Sequence, residues 1–265
     1  LFLLLWGSGF IASKDALTHA EPFTFLAYRF ACVSALLGCL ALAVRARWPA
    51  SWLEAGHIAV AGLLVQGLYL GAVSAAFRLG VPAGVAALIV GMQPILTAAV
   101  VGPLLGERVR PRQWLGLILG FAGVALVVAR TVRLDGVGLI EVVLCVAGLL
   151  GITAGTLYQK KYCSALDLRT GALIQYVASA LAMVVLSLLL EHQAVEWTWR
   201  FVAAFLWLSL VLSIGAIFLL FILIRRGAAS RVASLFYLVP PVTALMAYLA
   251  LDETLRPTAL LGMAL

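Results

Sequence analysis

The sequence predicts an all-α integral membrane protein of ten transmembrane helices, arranged as two inverted five-helix repeats. Three observations predict it. Of the 265 residues, 65% are hydrophobic and 11% charged, and the mean hydropathy is +1.13, which leaves too few charges to cover a soluble core. Charged clusters and Pro/Gly boundaries cut the chain into apolar segments, most of them near the ~20 residues that cross a hydrocarbon core of ~30 Å. The second half also repeats landmarks of the first at one fixed spacing.

The first segment, near 1–14, is an apolar run closed by Lys14 and carrying Trp6 and Ser8. It is too short to span and does not open on Met, so it reads as a first span cut short within a longer chain rather than as a signal peptide. The second, near 23–44, contains Arg29, the one basic residue placed well inside a span. The third, near 57–77, holds Gln66 and Tyr69. The fourth, near 82–105, carries Gln93 and Pro94 about halfway along. The fifth, near 112–129, places Gly116, Gly120 and Gly123 for close helix approach, within a monomer or in a homodimer. The sixth, seventh and eighth, near 137–158, 169–190 and 198–224, are bounded by Asp135, Lys160 and Lys161, Glu191 and Arg225. The ninth, near 228–251, carries Phe236 and Tyr237 followed by Pro240 and Pro241. The tenth, near 257–265, starts at Pro257 and is too short to span as it stands.

LLGERVRP at residues 104–111 returns as ALDETLRP at 250–257. Glu107 and Glu253 stand 146 residues apart, and so do Pro111 and Pro257, Gly9 and Gly155, Lys14 and Lys160, Glu21 and Asp167, and Gly116 and Gly262. The chain therefore reads as a tandem duplication, with 1–130 the first five-helix repeat and 131–265 the second. Five is odd, so the second copy enters the membrane from the opposite face. Similar halves in opposite orientations can exchange conformations and open a cavity to either side, which favours transport over catalysis. Glu107 and Glu253 themselves mark the fold: Pro111 and Pro257 suit the first turns of helices, and a carboxylate in the preceding loop can accept their free amide donors.

The net charge of +7 is a matter of placement. With the N-terminus inside, alternate loops hold eleven basic residues, among them Arg45, Arg47, Arg108, Arg110, Lys160 and Arg225, while the opposite loops hold six, including Lys14, Arg78 and Arg200. That excess puts both termini in the cytoplasm and makes the lipid bilayer, not nucleic acid, the partner of the basic residues. Cys32, Cys39, Cys145 and Cys163 form no Cys-x-x-Cys pair and fall mostly within apolar spans, so neither a metal nor another cofactor is expected.

Interruptions in the spans point to the centre. Pro94 and the pair Pro240 and Pro241 each remove a backbone donor, freeing carbonyls such as those of Val90 and Tyr237, which in a membrane need protein or a water-filled cavity. These prolines are the candidate helix breaks for gating, with packing kinks as the alternative. Trp6, Ser8, Gln66, Tyr69, Gln93, Phe236 and Tyr237 lie at similar depth and are the candidate substrate-binding residues. Gln66 and Gln93 must meet each other, water or substrate, since an unpartnered amide in hydrocarbon is costly. Neutral amides suit a zwitterion, and the aromatic rings offer flat walls to an aromatic or bulky apolar solute. Arg29 is a candidate for holding a substrate carboxylate or lining the outer vestibule, or else for helix pairing.

All eleven acidic residues lie in loops or within a turn or two of a span end, and His19, His57 and His192 sit near the interfaces. Without a mid-membrane proton carrier, the sequence favours a facilitator or exchanger, with Glu141 and Asp15 the nearest proton-carrying candidates. No Gly-rich stretch ends in Gly-Lys-Ser or Gly-Lys-Thr, so ATP use is not indicated. An intramembrane enzyme is the distant alternative: WGSGF exposes Ser8 between two glycines, but no base is expected at that depth.

LLWGSGFIASKDAL, YRF at 28–30, and the paired GERVRPRQWLGLILGFAGVALVV and DETLRPTALLGMAL resemble the EamA-type drug/metabolite transporter superfamily across both halves. The resemblance implies ten spans, a central cavity lined mainly by helices 1 to 4 and 6 to 9, and export of small metabolites across a bacterial inner membrane. Bacterial amino-acid exporters, including those for aromatic amino acids, match best. A proton-coupled multidrug exporter and a nucleotide-sugar transporter are the alternatives. The family shares Arg-Phe at 29–30 whatever the solute, which favours helix pairing for Arg29.

Overall fold

The computed structural model describes residues 2–81, 83–128, 138–163 and 167–216, together with 219, 222, 223 and 242. Among these residues every regular element is helical, and one isolated bridge joins Ala20 to Val195. The elements are α1 (Phe2–Ala16), α2 (Pro22–Ala43), α3 (Trp52–Gly62), a π-helical turn (Leu63–Leu68), α4 (Tyr69–Arg78), α5 (Ala83–Val90) and α6 (Gln93–Leu105). They continue with α7 (Pro111–Val128), α8 (Leu139–Tyr162), α9 (Leu168–Leu190), α10 (Trp199–Leu206) and a second π-helical stretch (Trp207–Ala216). Among the described residues, five helical stretches, local breaks included, are long and apolar enough to cross a membrane: Pro22–Ala43, Trp52–Arg78, Leu88–Leu105, Leu139–Tyr162 and Leu168–Leu190. The described helices occupy the first eight predicted segments; apart from residue 242, the ninth and tenth lie outside the described residues.

Helix ends depart from the predicted boundaries where capping decides. The third segment starts at Trp52, not near 57, because Ser51 Oγ accepts from Glu54 N at 3.2 Å while Glu54 Oε2 accepts from Ala50 N at 2.8 Å. That reciprocal pairing satisfies two free donors and outweighs the local polarity of Glu54. The sixth continues to Tyr162, since Lys160 and Lys161 favour the negative end of α8. Pro111 opens α7 as expected, and Gln113 Oε1 receives Arg110 N at 2.7 Å just before it.

The core is built on α2 and α9, which pack along each other more extensively than any other described pair. Phe30 and Tyr176, fully buried and 146 residues apart, meet edge to face with ring centres 5.6 Å apart. At one end of this pair Glu191, the C-cap of α9, accepts from Phe23 N, Thr24 N and Thr24 Oγ1, each at 2.7 Å, so it caps α2 across the interface. Glu21 returns the contact by accepting from His192 N and Ala194 N. The span formed by α3, the π-helical turn and α4 lies against α8 and α9, as α1 lies against α10 and the second π-helical stretch. Gly62 makes the first approach possible: a Cβ there would stand 2.5 Å from Gln175 Cα.

Both π-helical segments fall at matching places, since Leu63–Leu68 shifted by 146 residues lies within Trp207–Ala216. Large apolar side chains cover the outside, and Trp52 (94% exposed) and Trp199 (77%) stand at helix starts, where indoles anchor in the lipid interface.

Candidate functional site

A cavity of about 60 Å³ lies among α1, α2, α4, α9 and the second π-helical stretch. Gly9, Ser13, Arg29, Tyr69, Ser74 and Tyr176 line it, with Leu70, Val73, Phe77 and Leu212 as its apolar wall. α2 brings in Arg29, which is 3% exposed and donates from Nε to Ser213 Oγ at 3.0 Å. Ser213 Oγ in turn donates to Leu208 O, five residues back, at 2.9 Å. Tyr176 completes the join by donating from its hydroxyl to Ser213 O at 3.1 Å. The wide winding around Ser213 thus serves two side chains of the opposing helices, in keeping with π segments occurring at functional places. Among the described residues, no Asp or Glu lines this cavity.

Next to it runs a neutral ladder of buried amides. Gln66 Nε2 donates to Gln175 Oε1 and Gln175 Nε2 to Gln159 Oε1, both at 3.4 Å. Gln66 Oε1 has no partner among the described residues. A larger apolar groove of about 430 Å³ lies between α6 and α8, with Leu96, Val100, Leu104 and Leu150 on its walls and Lys161 at its rim. Val100 and Leu150 are exposed there, so lipid fills it more naturally than a polar solute.

The structure brings Arg29 and Tyr69 together in the first cavity, but distributes other candidates elsewhere. Ser8 accepts from Trp207 Nε1 at 3.0 Å and donates to Leu5 O, tying α1 to the second π-helical stretch outside the cavity lining. Gln66 and Gln93 do not bond to each other. Gln93 Nε2 points along its own helix to Thr97 Oγ1 at 3.4 Å, leaving Oε1 without a described partner. Pro94 stands in the first turn of α6, directly after the chain leaves helical winding at Gly91 and Met92. Trp6 is within α1, but its side chain lies outside the described residues, as do Phe236, Tyr237, Pro240 and Pro241. Sequence reasoning missed Ser13, Ser74, Tyr176 and Ser213. The repeat offset was the available signal for Tyr176, because it pairs that residue with Phe30 and its neighbour Gln175 with Arg29.

The EamA-like transporter family model matches residues 1–129 and 139–265, nearly the whole chain. The chain belongs to the EamA-like transporter family. This multi-pass membrane transporter is 29% identical over 271 residues to an uncharacterised transporter of Bacillus subtilis, covering 99% of this chain and 86% of the relative. It is 26% identical over 272 residues to a probable amino-acid metabolite efflux pump of Escherichia coli, covering 99% and 88%. A crystal structure shares the fold with a TM-score of 0.80 at 20% identity, covering 99% of this chain and 90% of that one. For an EamA-like transporter, a cavity lined from both halves is the natural place to look for the solute.

Proposed function

We propose that the chain is a secondary exporter of small metabolites, above all of amino acids with aromatic or bulky apolar side chains, working by alternating access as a facilitator or exchanger. The observation that carries this reading is the cavity itself, which takes α1, α2 and α4 from residues 1–130 and α9 and the second π-helical stretch from 131–265. Its hydroxyls, rings and single cation suit a small polar solute with an apolar body. The efflux-pump name of the Escherichia coli relative supports export and the amino-acid class.

In this reading the two halves are inverted five-helix repeats, with both termini in the cytoplasm of a bacterial inner membrane. Support comes from the family match on each half, the meeting of Phe30 with Tyr176 and the matching π-helical segments. The cavity of about 60 Å³ is under half of the ~150 Å³ that holds a benzene, so in this reading loading an aromatic solute requires it to widen. The break before Pro94 and the π-helical segments are where helices can bend to provide it.

The test is flux into and out of liposomes containing the purified protein, across a panel of amino acids, cationic drugs and nucleotide sugars. Aromatic and branched amino acids should run down their own gradients, and collapsing a pH gradient should leave the initial rate nearly unchanged. Uphill accumulation driven by pH and abolished by Glu141→Gln or Asp15→Asn would refute the facilitator reading, since neither residue lines the cavity.

A further inference from the structure

The cavity contains a charge that no described residue balances. Arg29 is buried, and its one described hydrogen bond runs from Nε to a neutral hydroxyl, leaving the two terminal nitrogens of the guanidinium for something else. The hydroxyls of Ser13, Tyr69 and Ser74, which share the cavity, make no hydrogen bond to a described residue. Among the described residues no carboxylate pairs with Arg29. The remaining acidic residues, Asp135, Asp252 and Glu253, stand between apolar segments in the sequence. A guanidinium kept from water is costly until an anion meets it.

The repeat sharpens the point. The position 146 residues after Arg29 is Gln175, a neutral amide on α9 that bonds to Gln66 beside the first π-helical turn, as Arg29 on α2 bonds to Ser213 in the second. At the matching place in the other half, a neutral side chain makes the equivalent link. The charge at position 29 is therefore surplus to helix pairing.

We propose that Arg29 anchors a carboxylate of the transported solute, so that the site takes carboxylates, zwitterionic amino acids included, and rejects amines and neutral compounds lacking that group. The fork of terminal N–H groups matches two carboxylate oxygens, and Tyr69 and Ser74 stand by as further donors. This rests on reading the cavity as the solute site.

The test is thermal unfolding of the full chain in detergent with matched pairs: each common amino acid against its amide, and benzoate against benzamide. The acid of at least one pair should stabilise the protein and its amide should not. Arg29→Gln should weaken the acid's apparent affinity at least about tenfold, as expected for loss of a charged two-point contact, and Arg29→Lys should restore part of it. Equal stabilisation by acid and amide, or no response to any acid, overturns the proposal without needing any variant to fold. An acid response unchanged in folded Arg29→Gln also overturns it. Flux is measured separately: Arg29-dependent acid binding with no flux of any solute keeps the anchor and sinks the transport reading, whereas amides carried as fast as acids do the reverse.

Discussion

Glu191 shows how one side chain fixes two helices. Its carboxylate ends α9 and receives three hydrogen bonds from the first turn of α2, where the positive end of the helix dipole also favours it. Thr24 Oγ1 also meets Ser187 Oγ at 2.6 Å, which draws the last turn of α9 into the same network. Glu191→Ala should therefore strand amide donors at a packed interface and cost about 1–3 kcal/mol, read as a lower Tm in detergent. Glu191→Gln should lose less. An unchanged Tm for the alanine variant would mean that water replaces the carboxylate without penalty.

Among the elements, the fourth span differs from its neighbours because it is two helices. α5 stops at Val90 and α6 begins at Gln93, with Pro94 unable to donate to the turn before it. Replacing Pro94 by alanine should let helical winding run through and bias one cavity state, so that flux falls more than the yield of folded protein. Equal flux per folded molecule would return the break to a packing role. The third span bends by different means, the wide turn at Leu63–Leu68, beside which Gly62 lets the chain lie against the α9 backbone at Gln175.

Across the whole molecule, orientation is the property most open to direct measurement. In the proposed topology, the excess of basic residues at alternate loops puts the Arg108–Arg112 loop in the cytoplasm and the loop from Arg130 to Asp135 outside. A cysteine introduced in the first, in a variant lacking the native four, should be labelled by an impermeant maleimide only from the cytoplasmic side. One in the second should be labelled only from outside. Reversed labelling would overturn the proposed topology and, with it, the direction assigned to export.

The sequence by itself determined that the chain is helical and spans the membrane, where most of its helices lie and that its halves are related. These follow from local composition: each segment must bury its backbone hydrogen bonds and match the hydrocarbon, and a residue-by-residue offset needs no coordinates. It also singled out Arg29 and Tyr69, because a charge or phenol within an apolar run is conspicuous wherever it points. Tertiary structure alone decided that Ser8 joins helices while Ser13 and Ser74 line the cavity, that Gln66 bonds to Gln175 rather than to Gln93, and that Ser213 receives Arg29 across 184 residues of chain. Rotation about each helix axis sets those partnerships. With nearly every face apolar, the hydrophobic pattern carries little information about that rotation, so the packing of small residues and the two π-helical segments fixes it instead.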